Sequence, residues 1–212
     1  MNELASIVIR SIVISGTATI LASAWSILLA YLLSGSYRLR HIAYLLEALV
    51  GIPTVLVGLL LYMLLSNDGP LGFLQLLYTP QAIIIGEALL ITPLITAVSY
   101  QALKETRTKY TELALSLGAT QRQAAGLVIT QSLPSLLAAI VMGYSRAIGE
   151  LGVALIVGGN IKGLTRTITT SIALYTAMGE YENAIKLGLV LVVLTIGVSL
   201  LVRLVKRTWD LE

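Results

Sequence analysis

Apolar residues in this sequence come in runs about as long as a lipid bilayer is thick. A helix crossing the ~30 Å hydrocarbon core needs about 20 mostly apolar residues. The chain offers five such runs, at 12–33, 42–65, 82–103, 133–157 and 185–204. In lipid every backbone N–H and C=O must find an internal partner, so runs of this kind fold as helices. The composition points the same way. The chain is 57% hydrophobic and 12% charged, with a mean hydropathy of +0.89, about half the charge of a typical soluble domain. The expected fold is an all-α integral membrane protein with about five transmembrane helices. It forms one domain over residues 1–212, with no internal repeat, low-complexity tract or separate soluble domain. Pro53 and Pro93 fall inside the second and third runs and predict kinks there. The opening MNELASIVIR lacks a basic n-region, and Arg10 sits in its rising hydrophobicity. The first helix is therefore expected to stay in the membrane rather than be cleaved as a signal.

Lysine and arginine set the orientation. Arg38, Arg40, Lys104, Arg107, Lys109, Arg122, Arg203, Lys206 and Arg207 collect on one side, against Arg10, Lys162, Arg166 and Lys186 on the other. Nine against four makes the first side cytoplasmic, with the N-terminus outside and the C-terminus inside. There is no cysteine, so disulfides, thiol catalysis and Cys-ligated metal are excluded. One lone histidine, His41, cannot assemble a metal site and is expected to face headgroups. A membrane enzyme would need nucleophiles, acids or metal ligands clustered at one depth, and no Ser-His or multi-His constellation exists. No nucleic-acid partner is expected.

The longest cytoplasmic segment, about 104–131, is too patterned for a flexible linker. Tyr110, Leu113, Ala114 and Leu117 follow i, i+3, i+4, i+7 and share a helical face, with Glu112 and Ser116 off it. Gly118 comes next, where a left-handed C-cap costs glycine least. Thr120 and Gln123 have capping-box spacing. The stretch TELALSLGATQRQ, at 111–123, thus reads as a short amphipathic helix, a glycine turn and a second helix running toward Ser132-Leu133-Pro134. Periodicity leaves three roles open: lying on lipid headgroups, a folded loop, or a knob that docks into another protein.

ELALSLGA resembles the EAA loop of ABC importer membrane subunits, whose pattern is Glu-Ala-Ala, three residues, then Gly. Glu112, Ala114 and Gly118 match, and Leu113 replaces the first alanine. The family's Leu-Pro reappears as Leu133-Pro134, a few residues late. GYSRAIGELGVALIVGGNIKG, at 143–163, is similar to the corresponding region of molybdate- and tungstate-type importers. TRTITTSIALYT, at 165–176, resembles the tungstate branch. The resemblance implies a coupling helix between the third and fourth membrane helices, seated in a cleft of a cytoplasmic ATPase. Tyr110, Glu112, Leu113, Ala114, Leu117 and Gly118 would then be the coupling residues. It implies a homodimer, two P-loop ATPase subunits, an extracytoplasmic oxyanion-binding protein and surrounding membrane lipid. The setting is the cell membrane of a bacterium or archaeon. This chain has no G-x-x-x-x-G-K-[ST], so ATP and Mg would be bound by the ATPase partner and no cofactor by the chain itself. The expected cargo is tungstate first, molybdate next, with sulfate or phosphate as alternatives. A secondary transporter or channel is the alternative of a different class, although its inverted repeats are not seen.

Charges inside the runs cost roughly 2.5–3.5 kcal/mol even on the lenient scale and face protein or a cavity. Arg146 and Glu150 lie one turn apart in the fourth run, beside Gly149 and Gly152. Either Arg146 lends positive potential to an oxyanion path, or the two neutralise each other and fix packing or a gate. Glu47 and Glu87 are expected to face protein or headgroups. An outer loop at about 158–184 carries Gly158, Gly159, Asn160, Lys162 and Arg166. These either meet the incoming ion or binding protein, or turn the chain and solvate it.

Overall fold

The apolar runs do become helices, but the helix ends are not where hydropathy changes. The computed structural model describes residues 3–209, with no side-chain description for Tyr37 or 201–209. Arg203, Lys206 and Arg207 of the basic side therefore lie outside the described side chains. Eight α-helices form among the described residues: α1 Glu3–Ser34, α2 Arg40–Leu49, α3 Thr54–Leu65, α4 Pro80–Ser116, α5 Gln121–Ile148, α6 Gly152–Gly158, α7 Ile168–Ala177 and α8 Tyr181–Trp209. Four of them (α1, α4, α5 and the Tyr181–Leu200 part of α8) are long and apolar enough to cross a membrane. A fifth crossing exists when α2 and α3, bent by 100° at their junction, are taken as one span. The all-α membrane architecture is the one the apolar runs predict.

Helix α4 is the centre. Its most apolar stretch is 61% buried, against 11% for α8. Helix α1 lies along it and presents a stripe of small and hydroxyl residues: Ser11, Ser15, Ala18, Ala22, Ser26 and Ala30, all buried. Small side chains let helices approach closely in lipid, where no hydrophobic force drives them together. Ser11 turns back on its own helix, donating to the Ile7 carbonyl at 3.0 Å, as does the neighbouring Thr19 to Ser15 at 2.6 Å, while Ser26 reaches across to the Thr92 carbonyl of α4 at 3.4 Å. Ala18 and Ala22 then meet Ile91 and Ile95 of α4 and Ala139 and Ala147 of α5 in one cluster. Gly143 of α5 sits so close to α4 that a Cβ there would stand 2.6 Å from Ile95 Cδ1. A Cβ on Gly86 of α4 would overlap Val153 Cγ1 of α6.

Four expectations change. The kink at Pro53 is a complete break. Residues preceding proline are pushed out of the helical region and Gly51 already weakens the turn. Pro53, at φ −61°, ψ 121°, heads α3 instead of bending α2. Pro93, by contrast, does not break its helix and lies buried inside an uninterrupted α4. Beside it the Thr92 hydroxyl donates to the Ala88 carbonyl at 2.7 Å and accepts from Trp25 Nε1 at 2.8 Å. Pro134 is in mid-α5 rather than near a helix start. The fourth run divides, because α5 ends at Ile148 with Gly149 as its C-cap and α6 begins at Gly152. The outer segment holds a helix of its own, α7, opened by a Thr167–Thr170 capping box. The Ile168 N–H donates to Ser11 Oγ of α1 at 2.8 Å, and Ile168 packs with Ile7 and Leu187.

Close helix approach at Gly143 carries a direct test. Gly143→Leu should overpack the α4–α5 seam and cost about 1–3 kcal/mol, lowering the thermal midpoint of the detergent-purified protein. Gly16→Ala, with nothing within 4 Å of the added Cβ, should be neutral or raise it.

Candidate functional site

The predicted coupling residues gather at the tip of α4. They are not a separate short helix, which corrects the reading of 111–117. Helix α4 continues without interruption from Pro80 through Ser116. Lys104, Glu105, Arg107 and Lys109 are good helix formers, and hydropathy falls there without the backbone changing. The tip then closes as the glycine predicts. Gly118 takes φ +87°, its N–H donates to Leu115 O, and the Ala119 N–H donates to Ala114 O, both at 3.0 Å. That pair of bonds is a Schellman motif. Thr120 opens α5 with both arms of the capping box, Thr120 N to Gln123 Oε1 at 2.8 Å and Gln123 N to Thr120 Oγ1 at 3.3 Å. The shared face of the periodicity is split. Ala114 is buried and Tyr110 half-buried, while Leu113 is 53% and Leu117 80% exposed. Glu112 is exposed. At 37 residues α4 is about 55 Å long at ~1.5 Å per residue, well beyond a ~30 Å hydrocarbon core. Its tip therefore carries exposed leucines past the bilayer.

The second group meets at two interrupted helices. Arg146 occupies the last turn of α5, and Glu150 lies just beyond the helix end rather than on it. The pair forms all the same, Arg146 Nη1 to Glu150 Oε2 at 2.7 Å. Glu150 is 2% exposed and the Arg146 side chain 38%. The other carboxylate oxygen, Oε1, accepts from Val153 N at 3.1 Å in the first turn of α6. The Glu150 carbonyl accepts from Thr169 Oγ1 of α7 at 2.7 Å. One residue thus ties α5, α6 and α7. Gly152 brings α6 onto the other interruption, since a Cβ there would lie 2.7 Å from Thr54 Oγ1 and 3.1 Å from Val55 N, at the start of α3. Glu87 of α4 is buried, and its Oε2 has no hydrogen-bond partner among the described residues. Sequence reasoning marked the Arg146–Glu150 spacing but missed Thr54 and Thr169. The proline that breaks the second run was the available signal for Thr54.

The outer group is tied down internally. Lys162 Nζ reaches Glu3 Oε2 at 2.9 Å and Arg166 Nη1 reaches Glu3 Oε1 at 3.5 Å. Arg10 donates to the Arg166 and Gly163 carbonyls, both at 3.0 Å. Gly158 packs on Ile83, where a Cβ would sit 2.6 Å from Cδ1. Gly159 and Asn160 turn the chain with φ of +68° and +52°. Of the other membrane charges, Glu47 accepts from Gln101 Nε2 of α4 at 3.1 Å, which holds α2 against the bundle. His41 is exposed.

Known proteins share this chain's sequence over most of its length. The tungstate uptake system permease protein of Peptoclostridium acidaminophilum is 42% identical over 196 residues, covering 92% of this chain and 86% of the relative. The tungstate uptake system permease protein of Campylobacter jejuni is 37% identical over 80% of this chain and 71% of its own length. A probable anion ABC transporter permease protein of Haloferax volcanii is 35% identical over 95% and 90%. Residues 22–210 match the family described as binding-protein-dependent transport system inner membrane component. With that match running from the second half of α1 through α8, the chain belongs to the family of inner-membrane components of binding-protein-dependent transport systems.

Proposed function

We propose that this chain is the membrane-spanning permease subunit of an ABC importer that moves a tetrahedral oxyanion inward. Tungstate is the first choice of cargo and molybdate the next, in line with what its relatives carry by name. The observation that carries the coupling part of this reading is the Schellman-closed tip of α4. Exposed apolar side chains held rigidly beyond the bilayer need a covering partner, and a helix end with Leu113 and Leu117 outward suits a groove. On this reading that groove belongs to a cytoplasmic P-loop ATPase, which binds ATP and Mg; the chain itself holds no cofactor. The tip end is cytoplasmic, the N-terminus outside and the C-terminus inside. Two copies form a homodimer with the pathway on the two-fold axis, and an extracytoplasmic binding protein delivers the ion.

The interrupted helices at Glu150 and Pro53 are the proposed gate. We read Arg146–Glu150 as a strut of that gate rather than an anion site, because both carboxylate oxygens are engaged and a neutralised guanidinium attracts anions poorly. The outer residues Gly158, Gly159, Asn160, Lys162 and Arg166 serve in this reading as the shaped mouth that receives the binding protein. Their internal ties to Glu3 and Arg10 keep that mouth rigid.

ATP-driven uptake in proteoliposomes tests the function. The vesicles would hold this chain with its ATPase and binding protein, and labelled tungstate would compete against molybdate, sulfate and phosphate. Uptake blocked best by unlabelled tungstate is the expected result; uptake without ATP dependence overturns the reading. Gly118→Val, placing a β-branched residue at φ +87°, or charge reversal of Glu112 should cut uptake about tenfold or more while ATP hydrolysis continues, site-to-site coupling being ~1–3 kcal/mol. Arg146→Ala leaves a buried carboxylate unpaired, at ~3–5 kcal/mol, and should abolish uptake. Arg146→Ala/Glu150→Ala should restore part of it, whereas an anion-binding Arg146 predicts no recovery.

A further inference from the structure

The two ends of the bundle treat their cations differently. At the Glu3 end Lys162 and Arg166 pair with Glu3, and Lys186 pairs with Glu182 at 2.6 Å. At the other end Lys104, Arg107 and Lys109 form no ion pair among the described residues. They lie over tyrosine rings instead: Lys104 over Tyr100 at 5.7 Å, Arg107 over Tyr31 at 4.8 Å and Lys109 over Tyr110 at 5.2 Å. Arg40 lies over Tyr44 at 5.6 Å in the same region. A ring attracts a cation without cancelling its charge. Arg107 is further fixed by Gly35, where a Cβ would stand 2.8 Å from its Nη1, and its buried Nε has no hydrogen-bond partner among the described residues.

Lys104 stands between two clefts. One of about 460 Å³ opens between α2 and α4, with Tyr44, Tyr100, Lys104 and Lys109 on its walls and Glu105 as the one carboxylate. The other, about 250 Å³, reaches toward Ser34–Ser36 and Arg40 and shares Tyr100, Lys104 and Thr108. The larger cleft continues through Gln101 into a third hollow one helical turn further along α4, lined by Ala97 and Val98 and by Glu47 of α2, whose carboxylate accepts from Gln101 Nε2 at 3.1 Å. Lys104 is 24 residues beyond Pro80, about 36 Å along the helix at ~1.5 Å per residue. With Pro80 at one boundary of a ~30 Å hydrocarbon core, Lys104 is at headgroup level on the opposite side.

We propose that this α2–α4 cleft binds an anionic phospholipid, its phosphate held by Lys104 and Lys109 and its chain laid along Ala97 and Val98. A free anion would match the cations but not the apolar continuation toward the bilayer interior. Tyrosines at the rim suit an interface that is apolar on one side and wet on the other. The inference does not depend on what the protein transports.

Native mass spectrometry of the full chain tests it, with added dioleoylphosphatidylglycerol or dioleoylphosphatidylcholine. The wild-type chain should retain phosphatidylglycerol saturably and at lower concentration than phosphatidylcholine. Lys104→Gln/Lys109→Gln should weaken that retention about 25-fold, at ~1 kcal/mol per charge near an anionic surface. Lys162→Gln/Lys186→Gln, at the opposite end, should leave it unchanged. All four lysines are exposed, and an unchanged elution volume confirms that each variant is folded. Equal retention of the two lipids overturns the proposal, as does full retention by the Lys104/Lys109 variant. So does displacement of the lipid by millimolar inorganic phosphate, which assigns the site to a free anion. A variant that keeps its lipid but no longer assembles with its ATPase gives the surface to that subunit instead.

Discussion

A backbone group that loses its helical partner inside a bilayer has no water to turn to, and this bundle interrupts two of its spans. The structure meets that constraint by putting the interruptions together. At one of them Glu150 receives the guanidinium of Arg146, the Val153 N–H and the Thr169 hydroxyl. At the other, Pro53 begins α3 with a residue that has no N–H to satisfy. Gly152 lets the two meet at Thr54. The position of α7 follows, since Thr169 is anchored at the break while Ile168 is anchored on α1.

The balance of charge divides the molecule along its length. Cations at the Glu3 end are matched by acids or carbonyls, so little net field remains there. Lys104, Arg107 and Lys109 at the α4 tip end rest on aromatic faces and keep their charge. Glu105 and Glu112 are the acids nearby in sequence, set against Lys104, Arg107, Lys109 and Arg122. An uncancelled field of this kind reaches about 8–10 Å at physiological salt, enough to bias which molecules approach that surface.

Much of this was legible in the sequence, and the failures have physical causes. Apolar runs marked the membrane crossings because burial in lipid leaves a length signature. Gly118 and the Thr120–Gln123 pair were readable because caps are local chemistry. The end of α4 was misjudged because hydropathy records where lipid stops, not where hydrogen bonding does; Lys104–Lys109 leave the bilayer while remaining helical. Helix α7 was hidden in TRTITTSIALYT, whose β-branched residues favour no helix. It forms because its hydroxyls cap it and its apolar face meets α1 and α8. Arg146 and Glu150 were read as neighbours on one helix. Their contact survives the break because a salt bridge needs proximity, not a continuous backbone.

The length of α4 has a mechanical consequence. One rigid rod runs from Glu87, 2% exposed in the middle of the bundle, to Leu117 at its far tip, and no loop lies between them. A displacement applied to the tip has no joint in which to dissipate. It must reappear as a tilt or slide of the segment beside the two interrupted spans. The softest point along the way is Pro93, where one rung of the ladder is missing, and Trp25 braces that spot from the neighbouring helix through Thr92.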